Sequence, residues 1–125
     1  MSITHRASLR DELCDAVVDK LDLGSTFSNA RIVLFDDADV PCTTWQLPYP
    51  AMLDSSGGIS YPAAAIADDN SPVLGKVPVR FEVQDRDGAW VWKGTVGASG
   101  ADWLDAGGPI AGPMRCQGFY YRVAL

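Results

Sequence analysis

The chain has 125 residues, carries a formal net charge of −6, and is 47 % apolar against 21 % charged. Length and composition are those of one globular domain able to bury a core without metal or disulfide support, and they exclude a disordered chain. A pI near 4.5 and Lys and Arg residues scattered without a patch argue against a nucleic-acid partner.

No membrane partner is expected. No run reaches the ~18 apolar residues of a spanning helix, and the opening MSITHRASLRDELCD has early charges and no signal-peptide core.

The first element reads as an amphipathic helix over residues 6–23. Leu9, Leu13, Ala16, Val17 and Leu21 recur at helical period, and Arg10, Asp11, Asp15, Asp19 and Lys20 fall largely off that stripe. Ser8 with Asp11, or Thr4, is the expected N-cap, and Gly24 is the expected left-handed stop. The stripe serves either to dock the helix on its own domain or to pack on a neighbouring subunit.

Residues 30–125 read as β structure. Arg31–Phe35 is a short β-rich run, followed by an acidic turn with Asp36, Asp37, Asp39 and Pro41. Cys42–Leu47 is a second strand, closed by Pro48 and Pro50. Ile59–Ile66 is a weak strand, with Pro62 placing it at an edge or bulge. Val77, Val79, Phe81 and Val83 alternate with polar residues or proline, as in a half-buried strand. Asp85-Arg86-Asp87-Gly88 is turn chemistry, with Gly88 suited to positive φ. Ala89–Val96 returns, with Trp90 and Trp92 expected on one face. Gln117–Val123 is the last strand. Short strands with Gly/Pro turns between them predict a mainly β fold, an antiparallel β-sandwich or jelly-roll-like domain carrying one N-terminal α-helix.

Chemistry-bearing motifs are sparse. Cys14, Cys42 and Cys116 form neither a disulfide framework nor a C-x-x-C pair, and read as free buried thiols. His5 is the sole histidine and lies at the start of the helix, a poor place for a catalytic base. Gly94, Gly97 and Gly100 do not match the dinucleotide fingerprint. Asp85-Arg-Asp87-Gly88 is a fragment of a calcium loop, and the acidic clusters read as solvated turns. No catalytic residue, metal or cofactor is expected.

The stretch RFEVQDRDGAWVWKGTVGASGADWLDAGGPIAGPMRCQGFYYRVAL, from Arg80 to Leu125, resembles the C-terminal half of a family of small tailed-bacteriophage virion structural proteins. Its F-x-V-x-D-x-D-G piece and its G-x-V-G-x-S-G-x-D piece, Gly94 to Asp102, carry the likeness. RASLRDELCDAVVDKLDLGS, ARIVLFDDADVP and TTWQLPYPAML are similar to that family's opening helix, first strand and leucine-rich strand. The chain departs from the pattern at Met52, where the family tends to have Phe. Its middle is rich in alanine and proline, and it adds Trp45 and Trp103.

The resemblance implies a virion protein assembled in the bacterial host cytoplasm, with a capsid decoration or cement (minor capsid) role expected. The alternatives are a tail or head–tail connection protein and a carbohydrate-binding or host-adsorption module. Its expected partners are copies of itself, a trimer being one closure, and the major capsid protein or tail proteins. Leu9, Leu13, Val17 and Leu21 of the helix, with Trp45 and Trp103, are the expected contact residues. The loops Asp36–Pro41 and Gly97–Gly100 are expected to make side contacts, so that weak contacts add up by repetition.

Overall fold

The computed structural model describes residues 3–97, 102–104 and 108–123. Residues 98–101 lie outside it. They include most of the V-G-x-S-G-x-D stretch and all of the Gly97–Gly100 loop beyond Gly97. Helix α1 is Ala7–Val18, continued by a 3-10 turn at Asp19–Asp22. The strands are β1 Arg31–Phe35, β2 Pro41–Gln46, β3 Ile59–Ser60, β4 Arg80–Gln84, β5 Trp90–Gly97, β6 Trp103–Leu104 and β7 Tyr121–Arg122. The chain is mainly β with one α-helix among the described residues.

The larger sheet has five strands in the order β2-β1-β4-β5-β6. Its pairings are antiparallel except β5–β6, which is parallel. The apolar run Ile32-Val33-Leu34-Phe35 suits a central strand covered on both faces, and all four side chains are buried. On β4 the alternation holds, with Phe81 and Val83 buried and Glu82 half-buried on the opposite face. A two-stranded ribbon, β3–β7, forms the smaller sheet, and α1 packs on both its strands. Phe119 and Tyr121 turn toward the large sheet: Trp92 stacks on Phe119 at 6.1 Å and meets Tyr121 at 4.6 Å. One core cluster thus links helix, sheet and ribbon, from Cys14 and Val18 through Ile32, Trp45 and Val83 to Ile110. This is a small, unequal β-sandwich.

Two features of the β4–β5 hairpin follow from local chemistry. Gly88 takes φ +82°, the left-handed conformation expected of it at the turn. The register then slips: Val83 pairs with Trp92 but Gln84 pairs with Trp90, so Val91 is an extra residue on β5. Because neighbours on a strand point to opposite faces, the slip puts Trp90 on the outer face with Gln84 and Trp92 on the core face with Val83. The expectation that the two indoles share a face is corrected. Trp90 is 53 % exposed and takes the Lys93 ammonium over its ring at 4.5 Å.

Other boundaries shift as well. The expected strand from Val77 begins at Arg80, and Pro78 is buried between exposed Val77 and Val79. Ile59–Ile66 contracts to Ile59–Ser60, with Pro62 held only by an isolated bridge to Met52. Gln117–Val123 contracts to Tyr121–Arg122. The helix N-cap is Arg6, without a side-chain cap, in place of Ser8 or Thr4.

The docked face shares Leu21 with the expected stripe but is otherwise rotated from it. The buried row is Cys14, Val18 and Leu21, while Leu13 is exposed and Leu9 and Val17 are half-buried. Moving from Leu13 and Val17 to Cys14 and Val18 is one residue, a rotation of about 100°. Its cause is hydrogen bonding. Asp11 accepts from the Gly58 amide at 2.7 Å and Asp15 from the Ser55 amide at 2.8 Å. Just beyond α1, Asp22 accepts from the Ala51 amide at 2.9 Å. These carboxylates satisfy the backbone of the 51–58 loop, which would otherwise be covered without partners.

The outer edge of β2 is also covered. Asp69 accepts the Thr44 amide at 3.0 Å, and Val73 donates to the Cys42 carbonyl at 2.9 Å. Asp69 and Met114 exchange both backbone bonds, at 2.8 and 2.9 Å.

Candidate contact surfaces

The residues expected at a partner surface separate into two groups. Leu21 is 0 % and Trp45 3 % exposed, so both are core side chains, and the contact role assigned to them is corrected. Trp103 is half-buried. It stacks on Trp45 at 5.6 Å and on Phe119 at 5.7 Å, and meets Phe81 edge-on at 5.2 Å. The structure brings Trp45 and Trp103 together, but as one packed cluster, with the Trp45 Nε1–H donating to the Met114 carbonyl at 3.0 Å. Leu9, Leu13 and Val17 stay on the less buried side of α1, where Leu13 is 39 % exposed.

The acidic turns organise backbone. Asp36 is buried, and its Oδ1 accepts the Ala38 and Val40 amides at 2.9 Å each. Asp85 Oδ1 accepts the Asp87 and Ala89 amides at 2.9 and 3.0 Å. Asp87 Oδ1 accepts the Ser25 and Thr26 amides and the Thr26 hydroxyl. The hairpin tip is thereby clamped onto the segment after the helix. Arg86 exchanges backbone bonds with Leu23 and Phe27, and its Nε donates to the Phe27 carbonyl at 3.0 Å. Gly24, at φ +113°, lies so close that a Cβ there would stand 2.8 Å from the Asp87 amide nitrogen. Among the described residues no group of three or more His, Cys, Asp or Glu is placed to hold a metal ion.

These bonds set a pH dependence. The Val40 amide, with Ala38 and Lys76 assisting, holds the Asp36 carboxyl below its usual range. The Ser25 and Thr26 amides do the same for Asp87. A carboxyl more acidic folded than unfolded contributes stability at pH above its unfolded value, about 3.9 for Asp. That contribution is lost as pH falls through this value toward the lower folded one. Melting temperature should therefore fall on acidification through the carboxylate range, and Asp87→Asn should show a shallower fall. Thermal melts across that range check both, and equal slopes in the two proteins would contradict the assignment to Asp87.

The outer sheet face is polar around Arg80. Arg80 pairs with Asp39 and Glu82, both at 2.8 Å, and lies over the Phe35 ring at 3.9 Å. Exposed apolar side chains gather elsewhere. Val73, Leu74, Val77 and Val79 lie on a strap beside the β1–β2 turn, where Val40 is also exposed. The strap is tied there by Val73 to Cys42, Val79 to Phe35, and the Lys76 ammonium to Asp36 at 3.7 Å. A second patch holds Tyr61 and Tyr120, with ring centroids 6.1 Å apart and both side chains about half exposed. They flank a groove of about 500 Å³ that also includes Pro62, Ile66, Cys116 and Phe119. Burial pushes the Cys116 thiol up to about 12, which disfavours its thiolate at neutral pH. The other two cysteines are buried, and all three are free.

No helix among the described residues is long and apolar enough to cross a membrane. No family model, curated protein or solved structure matches the chain.

Proposed function

We propose that the chain is a bacteriophage virion structural protein that decorates or cements the capsid shell through repeated contacts with itself and the major capsid protein. The supporting observation is the apolar strap, Val73, Leu74, Val77 and Val79 with Val40, tied to the sheet by backbone bonds and exposed. Clustered exposed apolar groups on a well-tied scaffold mark an interaction site. They adjoin the Asp36–Pro41 turn, a loop whose expected role is side contact. The pattern resemblance over Arg80–Leu125 supplies the virion context.

Leu74 is 64 % exposed, so Leu74→Arg should leave the melting temperature unchanged. It should lower binding to purified shells at least about tenfold, by placing a charge in the contact. Co-sedimentation with shells measures this, and mass spectrometry of purified infectious particles tests the reading as a whole. Full shell binding by the variant removes the strap from the contact. Absence of the chain from particles ends the proposal.

The Tyr61–Tyr120 groove favours a second reading, a carbohydrate-binding host-adsorption module that stacks sugar rings on tyrosines. Saturable glycan binding that is lost in Tyr120→Ala would support it over decoration.

A further inference from the structure

A guanidinium carries a fixed charge and a rigid fork of donors, and its needs can be read from its neighbours. The outer sheet face offers a direct comparison. Arg80 has two carboxylates, each at 2.8 Å. Arg31, on the same face, has an amide residue as partner on either side, Gln46 on β2 and Gln84 on β4. Its Nη2 donates to Gln84 Oε1 at 3.2 Å, and its buried Nε has no acceptor. Among the described residues no carboxylate lies within 4.0 Å of it. In a chain of net charge −6, this half-buried cation is left without an anion.

Beside it opens a pocket of about 430 Å³, lined by Thr26, Phe27, Ser28, Asn29, Arg31 and Gln46. Two of the lining residues are tied in place by hydrogen bonds. Thr26 is held by Asp87, and the Asn29 side-chain amide donates to the Leu47 carbonyl at 2.8 Å. The Phe27 ring lies under the guanidinium at 4.0 Å and sets its plane. No acidic side chain lines the pocket. The Ser28 hydroxyl and the Gln46 amide add neutral donors beside one positive charge.

We infer that this pocket receives the carboxylate of an acidic side chain from a neighbouring protein subunit. One cation balances one monoanion, whereas a polyanion would be opposed by the overall negative charge. Arginine pairs with carboxylate through two parallel hydrogen bonds, and the ties on Thr26 and Asn29 and the Phe27 ring against Arg31 reduce the ordering cost of binding. The inference rests on the reading that the chain works by protein–protein contact.

The test uses the intact chain and two blocked tripeptides, Ac-Ala-Glu-Ala-NH2 and its Gln counterpart, titrated at constant ionic strength and followed by backbone NMR. The Glu peptide should shift Thr26 to Arg31 and Gln46 saturably, and the Gln peptide should not. Arg31→Gln should weaken the Glu peptide at least about tenfold, and Arg31→Lys should bind between the two because it keeps the charge and loses the fork. Gln46→Glu supplies an internal carboxylate across from Arg31, so it should raise the melting temperature and abolish peptide binding, which controls for a misfolded Arg31 variant. Equal binding of both peptides, or an unchanged response in Gln46→Glu, overturns the pocket. Peptide binding by a chain that never associates with particles sinks the virion reading and leaves the pocket standing. Particle association without peptide binding does the reverse.

Discussion

Val18→Asp should unfold a large fraction of the molecules at room temperature, while Val17→Asp, one residue away, should cost little. Val18 is 2 % exposed and packs with Cys14 and Leu21 in the core. A carboxylate there has no cation partner, and Asp11 and Asp15 already occupy the docked side of the helix. A lone buried charge of this kind costs about 3–5 kcal/mol, a large share of the ~5–15 kcal/mol that holds a domain together. Val17 is half-buried, so a charge there keeps access to water and should cost about 1 kcal/mol. Urea unfolding of the two variants gives the comparison directly. The reverse order would mean that the helix docks through Leu9, Leu13 and Val17 after all.

Trp45→Ala should be the other severe change, at about 3–5 kcal/mol. The indole is 3 % exposed and joins two kinds of structure. Its ring stacks on Trp103, and its Nε1–H holds the Met114 carbonyl, which also accepts from the Asp69 amide. Trp45→Phe keeps most of the stack and loses the hydrogen bond, so it should cost roughly 1–3 kcal/mol. Both variants should also speed hydrogen exchange at the Asp69 and Met114 amides beyond what the global loss of stability explains, because the Asp69–Met114 pairing loses its anchor. Unaltered exchange at those amides in Trp45→Phe would show that the bond contributes nothing.

The elements that were legible in the sequence are those whose period or turn chemistry is local. Arg31–Phe35 is a strand with the expected bounds, and Gly88 adopts the expected positive φ. The helix sits where its periodicity places it, but its docked face was hidden. That face is chosen by Asp11 and Asp15 bonding to amides 47 and 40 residues away, and no window on the sequence contains both partners. The faces of Trp90 and Trp92 were misread for a related reason. A single unpaired residue, Val91, reverses the alternation, and nothing in the residues themselves marks it.

The acidic turns were correctly placed, but their work was not visible. Asp85, Asp87 and Asp36 serve as backbone acceptors, and only Asp85 and Asp36 do so within their own turn. The Arg31 pocket was invisible, since its meaning lies in the cross-strand neighbours Gln46 and Gln84, which the register supplies. Trp45 and Trp103 read as contact residues because aromatic side chains serve interfaces and cores alike. Burial places Trp45 in the core, with Trp103 half-buried against it.

The covering of β2 limits how copies of this chain can meet. With Asp69 on the Thr44 amide and Val73 on the Cys42 carbonyl, that margin has few free backbone groups to offer an incoming strand. Fibre-like growth by strand addition is hindered on that side. A contact between copies along the β2 margin therefore has to rely more on side chains than on strand pairing.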